Sequence, residues 1–99
     1  PSMLILSLIA RQFNQLMQVR ELSDGGAARA AIASQLKLSP YIAGKVQAQA
    51  RSFSPQALKE AVTACVEAEA AVKTGSLSDQ LAVETLLVQL SGRPDTDEA

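Results

Sequence analysis

Cys65, Glu67 and Glu69 are the candidates in this chain for nucleophilic or acid–base chemistry. A thiolate nucleophile needs a lowered pKa and access to solvent. Cys65 falls mid-helix on an apolar stripe, and the chain contains no histidine to activate it. The missing histidine also removes the commonest general base, a common zinc ligand and the usual switch near neutral pH. A single cysteine supports neither a disulfide framework nor a cysteine-based metal site. Cys65 therefore reads as a small buried hydrophobe. Glu67 and Glu69 stand two apart on a helix and point in different directions, which is poor geometry for paired acid–base work. Glu69 lies within the apolar stripe, four residues before Lys73, an order that suits a helix ion pair; it reads as a structural tie. Gly25-Gly26 follows a helix rather than a strand, so it forms neither a P-loop nor a dinucleotide fingerprint. No catalytic, cofactor-binding or metal-ligating residues are assigned, and no cofactor is expected.

Residues 30–51 carry a different kind of candidate chemistry. A short helix, the turn Lys37-Leu38-Ser39-Pro40 and a second helix trace the outline of a helix-turn-helix, with Ile32, Leu36, Leu38, Ile42 and Val46 as its packing residues. A DNA reader needs base-reading side chains and a basic rim on its second helix. Between Tyr41 and Arg51 the candidates are Lys45, Gln47, Gln49 and Arg51, while Ala43, Gly44 and Ala48 offer little grip on phosphate. Two helices meeting at an angle explain the same pattern without DNA, so a DNA-binding module over 30–51 stands as the alternative reading.

The elements that position these residues are all helices. The first is expected from about Met3 to Leu22, with Ile5, Ile9, Phe13, Leu16 and Met17 facing inward and Asp24-Gly25-Gly26 as its stop. Its first turn is apolar nearly all round, as if covered on more than one side. A short helix follows from Ala27 to Leu36, burying Ala30, Ile32, Ala33 and Leu36. Ser39-Pro40 and Ser54-Pro55 each read as an N-cap followed by proline at the first helical position, where its missing N–H costs nothing. They open helices to about Arg51, with Tyr41, Ile42, Val46 and Ala50 inward, and to Lys73 or Thr74, with Leu58, Val62, Cys65, Val66, Glu69 and Val72 inward. Ser78 caps the last helix, where Leu81, Val83, Leu86, Leu87 and Leu90 form the apolar face. No alternating strand pattern occurs. The expected fold is all-α, a compact bundle of about five helices over residues 1–92, followed by an acidic tail, 93–99.

Bulk composition agrees. At 99 residues the chain has room for one core. It is 47% hydrophobic but only 3% aromatic, so that core is aliphatic. Net charge is −1, which gives no overall pull toward nucleic acid or anionic membrane. Residues 1–51 nonetheless hold six cations against two acids, and residues 52–99 three against eight. The apolar run at residues 3–10 is far too short to span a bilayer. A cytoplasmic, reducing setting is expected.

Four stretches resemble a known family. Leu8-Ile9-Ala10-Arg11-Gln12-Phe13-Asn14-Gln15-Leu16-Met17-Gln18-Val19-Arg20-Glu21-Leu22 is similar to the opening helix of the C-terminal domain of the bacterial DNA polymerase III delta subunit, part of the sliding-clamp loader. Leu38-Ser39-Pro40-Tyr41 with Gln49-Ala50-Arg51-Ser52-Phe53-Ser54 looks like its middle. Glu69-Ala70-Ala71-Val72-Lys73-Thr74-Gly75 resembles the end of its long helix, and Leu81-Ala82-Val83-Glu84-Thr85-Leu86-Leu87-Val88-Gln89-Leu90 its last helix. A larger or charged residue is more usual at Asn14, and Asp at Glu69. The resemblance runs from about residue 4 to 92.

It implies a bacterial collar domain that holds the loader pentamer together by joining the gamma/tau and delta-prime subunits. The sliding clamp would be contacted only through domains that precede this one. No enzymatic activity is implied for the domain itself, although the parent complex is a DNA-directed DNA polymerase. Neither direct DNA contact nor membrane contact is expected under this reading. Arg11, Arg20 and Glu84, on the first and last helices, are the expected partner contacts.

Overall fold

The computed structural model describes residues 1–91, and the expected acidic tail at 93–99 lies outside them. Among the described residues there are five helices and no strand: α1 (Ser2–Asp24), α2 (Arg29–Leu36), α3 (Pro40–Arg51), α4 (Pro55–Lys73) and α5 (Asp79–Ser91). The chain divides into two units, one of residues 1–11 and 61–99, the other of residues 12–60.

Helix ends are set by local chemistry. Gly26 (φ 95°) closes α1 in the left-handed conformation that glycine adopts without penalty. Its N–H bonds to Ser23 O at 3.0 Å and that of Ala27 to Leu22 O at 3.0 Å, the paired bonds of a Schellman stop. Lys37 ends α2 in the same way at φ 58°, with Leu38 N–H on Ala33 O at 2.8 Å. As a residue with a Cβ, Lys37 holds that conformation at some cost. Both Ser-Pro starts form as expected: Ser39 Oγ accepts from Ile42 N at 3.2 Å and Ser54 Oγ from Ala57 N at 3.0 Å. Ser78 Oγ likewise accepts from Leu81 N, at 3.1 Å. Helix α2 starts two residues later than expected, after Ala28, which has no side-chain acceptor to cap it.

In the unit of residues 12–60, Leu16, Val19, Ile32, Val46, Ala50 and Leu58 form the core. Phe13, Met17, Leu22, Leu36 and Phe53 pack around it, and the Phe13 and Phe53 rings meet edge to face with centroids 6.1 Å apart. Helices α2 and α3 pack against one another. In the unit of residues 1–11 and 61–99, the buried apolar residues are Leu6, Ala10, Ala61, Cys65, Ala82, Val83 and Leu86.

The inward faces differ from the expected ones in a consistent direction. Ile5, Tyr41, Ile42, Val66, Leu81 and Leu87 were all expected inside and are exposed, as is Ala30. Leu6 and Ala10, Ala43, Ala61 and Ala82 occupy the buried positions beside them. These helices are turned toward their alanines, since small side chains let neighbouring backbones approach closely. Among the described residues nothing covers the outer side of the start of α1, where Leu4, Ile5 and Leu8 face outward.

Candidate functional site

The unit of residues 1–11 and 61–99 holds a concentration of exposed large apolar side chains: Leu4, Ile5, Leu8, Val66, Leu81, Leu87 and Val88. Leu4, Ile5 and Leu8 are spaced three and four apart and so share one face of α1, opposite the buried Leu6 and Ala10. On α5, Leu81, Leu87 and Val88 stand three before, three after and four after Glu84, so the carboxylate sits amid apolar neighbours. Val88 is 69% exposed, and nothing among the described residues covers it. Scattered exposed leucines are ordinary, but repeated ones on single helix faces mark interaction surfaces. Between α4 and α5 runs a shallow groove of about 170 Å³ with Ala64, Ala68, Ala71 and Ala82 in its lining.

The residues expected to meet partners are placed differently from one another. Arg11 is exposed on α1. Glu84 is exposed on α5 and accepts from Gln80 Nε2 at 3.3 Å. Arg20 is committed within the chain. Its Nε donates to both Asp24 carboxylate oxygens, at 3.0 and 3.1 Å, and a terminal guanidinium nitrogen donates to Ala50 O at 3.1 Å and Phe53 O at 2.7 Å. Arg20 thereby caps the C-terminal end of α3 with a positive charge, where the helix dipole favours one. The sequence signal for this role, an Asp four residues on, identifies the ion pair but not the long-range carbonyls.

Glu69 is half-buried on α4 and Lys73 is exposed in its last turn, where a cation suits the dipole. The salt bridge found within 4 Å among the described residues is Arg20–Asp24. Glu69 also stands one turn after Cys65. Burial first, and the Glu69 charge second, push the buried Cys65 thiol above its ordinary value, the opposite of what a nucleophile needs. Among the described residues no group of three or more His, Cys, Asp or Glu side chains could hold a metal. No described helix is long and apolar enough to cross a membrane.

The helix-turn-helix outline loses one of its readers. Gln47 is buried and donates through Nε2 to Ser23 Oγ at 3.1 Å, so it does not face a groove. Ile42, assigned to the packing of that motif, is exposed. Lys45 lies 5.4 Å from the centre of the Tyr41 ring, and Arg29 lies along Gly44, near enough that a Cβ there would stand 3.1 Å from its guanidinium carbon. A glycine inside a helical pattern signals such a close approach, but without naming what approaches.

Comparison with known proteins bears on the chain as a whole. A family model described as the DNA polymerase III delta subunit, C-terminal domain, matches residues 1–90. The chain is 31% identical over 94 residues to DNA polymerase III subunit delta of Bacillus subtilis (strain 168), covering 95% of this chain and 27% of that protein. Its structure is similar to that of the Bacillus subtilis DNA clamp loader delta protein, with a TM-score of 0.85 and 31% identity over 94% of this chain and 27% of the other. The chain thus spans about a quarter of the length of these relatives. With a match over nearly every described residue, and the same helical architecture in a solved relative, the chain belongs to the family of C-terminal domains of the DNA polymerase III delta subunit.

Proposed function

We propose that this domain is an assembly module, holding a clamp-loader delta subunit in its complex during DNA replication. The supporting observation is the set of exposed apolar side chains on α1 and α5, with Val88, Leu81 and Leu87 around Glu84. A helix face of this kind gains by being covered, at roughly 25 cal/mol per Å² of apolar surface removed from water. Glu84 within that face and Arg11 on α1 then steer and orient a partner more than they bind it. The partners proposed are the equivalent domains of the gamma/tau and delta-prime subunits, in a bacterial cytoplasm. Contact with the sliding clamp falls to other parts of the full-length subunit. Residues 1–92 form the docking domain, and residues 93–99 are an acidic extension of it.

Analytical ultracentrifugation of this chain with the C-terminal domains of those subunits, at tens of micromolar, tests the reading. A heavier stoichiometric species is expected, and Val88→Asp with Leu81→Asp abolishes it. Absence of any complex, or a complex indifferent to both substitutions, removes the α5 face from the proposal.

A further inference from the structure

From Gly25 to Lys59 the chain contains no acidic residue. Four cations of that stretch, Arg29, Lys37, Lys45 and Arg51, lie on α2, α3 and the turn between them, and all four are exposed. We infer that the α2–α3 face binds the phosphate backbone of single-stranded nucleic acid, with Tyr41 as a stacking platform and without reading base sequence.

Three features of α2 and α3 support this. On α3, Ala43, Val46, Gln47 and Ala50 are buried, which turns Tyr41, Lys45 and Gln49, each four residues apart, to the solvent. Tyr41 is 70% exposed, and an aromatic ring left outside with the Lys45 ammonium over one side offers its other face beside a positive charge. Sequence-tolerant single-strand binding combines these parts: cations that follow the backbone and aromatic side chains on which bases stack. Gly44 lets the Arg29 side chain lie along α3, so a charge from α2 joins those of α3. An acidic peptide would use the charges but has no base to stack on the ring. Base-edge reading is not part of the inference, since Gln47 is turned inward on Ser23. Lys59 is set aside because it shares its groove with Glu21 and Asp24.

This surface lies wholly within residues 12–60, whereas the apolar faces proposed for assembly lie in the other unit, so the two readings stand or fall separately. The probe is a fluorescent oligothymidylate of about 20 nucleotides, followed by anisotropy with the whole chain between ~50 and ~200 mM salt. Four phosphate contacts on a single strand give a log–log salt slope of about −2.8, hence a loss of affinity of about 50-fold over that range. Lys37→Gly combined with Lys45→Gln brings the slope to about −1.4 and the loss to about sevenfold. The first of these places glycine at a left-handed position and so does not threaten folding. Tyr41→Ala weakens binding roughly tenfold at unchanged slope, and Lys73→Gln changes neither. No binding at ~50 mM salt, or a slope that ignores the double substitution, overturns the inference. Polyglutamate bound as tightly as the oligonucleotide, with Tyr41→Ala silent, overturns it in favour of an acidic protein partner.

Discussion

Replacing Arg20 by Met should cost this domain more stability than its surface position suggests, because the guanidinium satisfies backbone groups far away in sequence. Arg20 is only 21% exposed at its side chain, and its two carbonyl acceptors, Ala50 O and Phe53 O, belong to the end of α3 and the link to α4. Hydrogen bonds from a charged donor contribute about 1.5 kcal/mol each, so the two together come to about 3 kcal/mol. Water reaches part of the vacated site and recovers some of that, leaving a loss of about 2 kcal/mol. The Asp24 pair adds little. Asp24 is 55% exposed, and Arg before Asp at four residues is the weaker order on a helix, giving at most about 0.5 kcal/mol. In a domain of this size about 2 kcal/mol lowers the melting temperature by roughly 8–16 °C.

Urea and thermal denaturation of Arg20→Met, Arg20→Lys and Asp24→Asn separate the contributions. Arg20→Lys should recover part of the loss, since one ammonium reaches a carbonyl but cannot form the same fork. Asp24→Asn should stay within about 0.5 kcal/mol of the parent. If Asp24→Asn costs as much as Arg20→Met, or if ~1 M salt erases the Arg20 effect, the surface ion pair is what matters and the capping role is refuted.

On α4, Leu58→Ala should cost about 2–5 kcal/mol because Leu58 is fully buried, while Val66→Ala, at a 56% exposed position, should stay within about 0.5 kcal/mol; urea unfolding checks both. Gly44→Ala should stabilise the domain by up to about 1 kcal/mol through helix propensity, because the atoms a new Cβ meets are the movable end of Arg29; a loss above about 1 kcal/mol would show that Arg29 cannot yield. Cys65 has its folded pKa raised above 9.0, so its contribution is complete below that pH and is lost as pH rises from there through the folded value. The parent should therefore lose stability faster than Cys65→Ala above about pH 9, and equal slopes in denaturation at graded pH would contradict the burial.

The helices were legible because their punctuation is chemical and local. Ser39-Pro40, Ser54-Pro55 and Gly26 act through bonds to residues a few positions away, and each sits where its own sequence places it. The rotation of each helix was less legible. Helix α1 is apolar nearly all round at its start and α5 carries leucine or valine on several sides, so periodicity offers more than one possible inner face. Choosing the face with the largest side chains puts Leu81, Leu87 and Val66 inside; the structure leaves those three out and buries Ala82 and Ala61 beside the expected Val83, Leu86 and Cys65. That choice assumes that the chain must cover its own apolar surface. A domain that is covered by partners is free to keep its alanines for close internal packing and turn leucine and valine outward. The failure at Leu81, Leu87 and Val66 is thus informative in its direction: it coincides with the surface proposed for assembly. At Arg20 and Gln47 the reason is different. Both reach partners 24 to 33 residues away, and no spacing rule within a helix shows such a bond. Each sat among the polar positions of an amphipathic pattern, where a solvated side chain and a buried donor look alike. What distinguishes them is the acceptor opposite: Ala50 O near the end of α3 and Phe53 O in the link to α4 for Arg20, and the Ser23 hydroxyl for Gln47. Helix C-termini that lack a local glycine stop, as α3 does with Ser52 in a helical conformation, are therefore where a distant arginine should be sought.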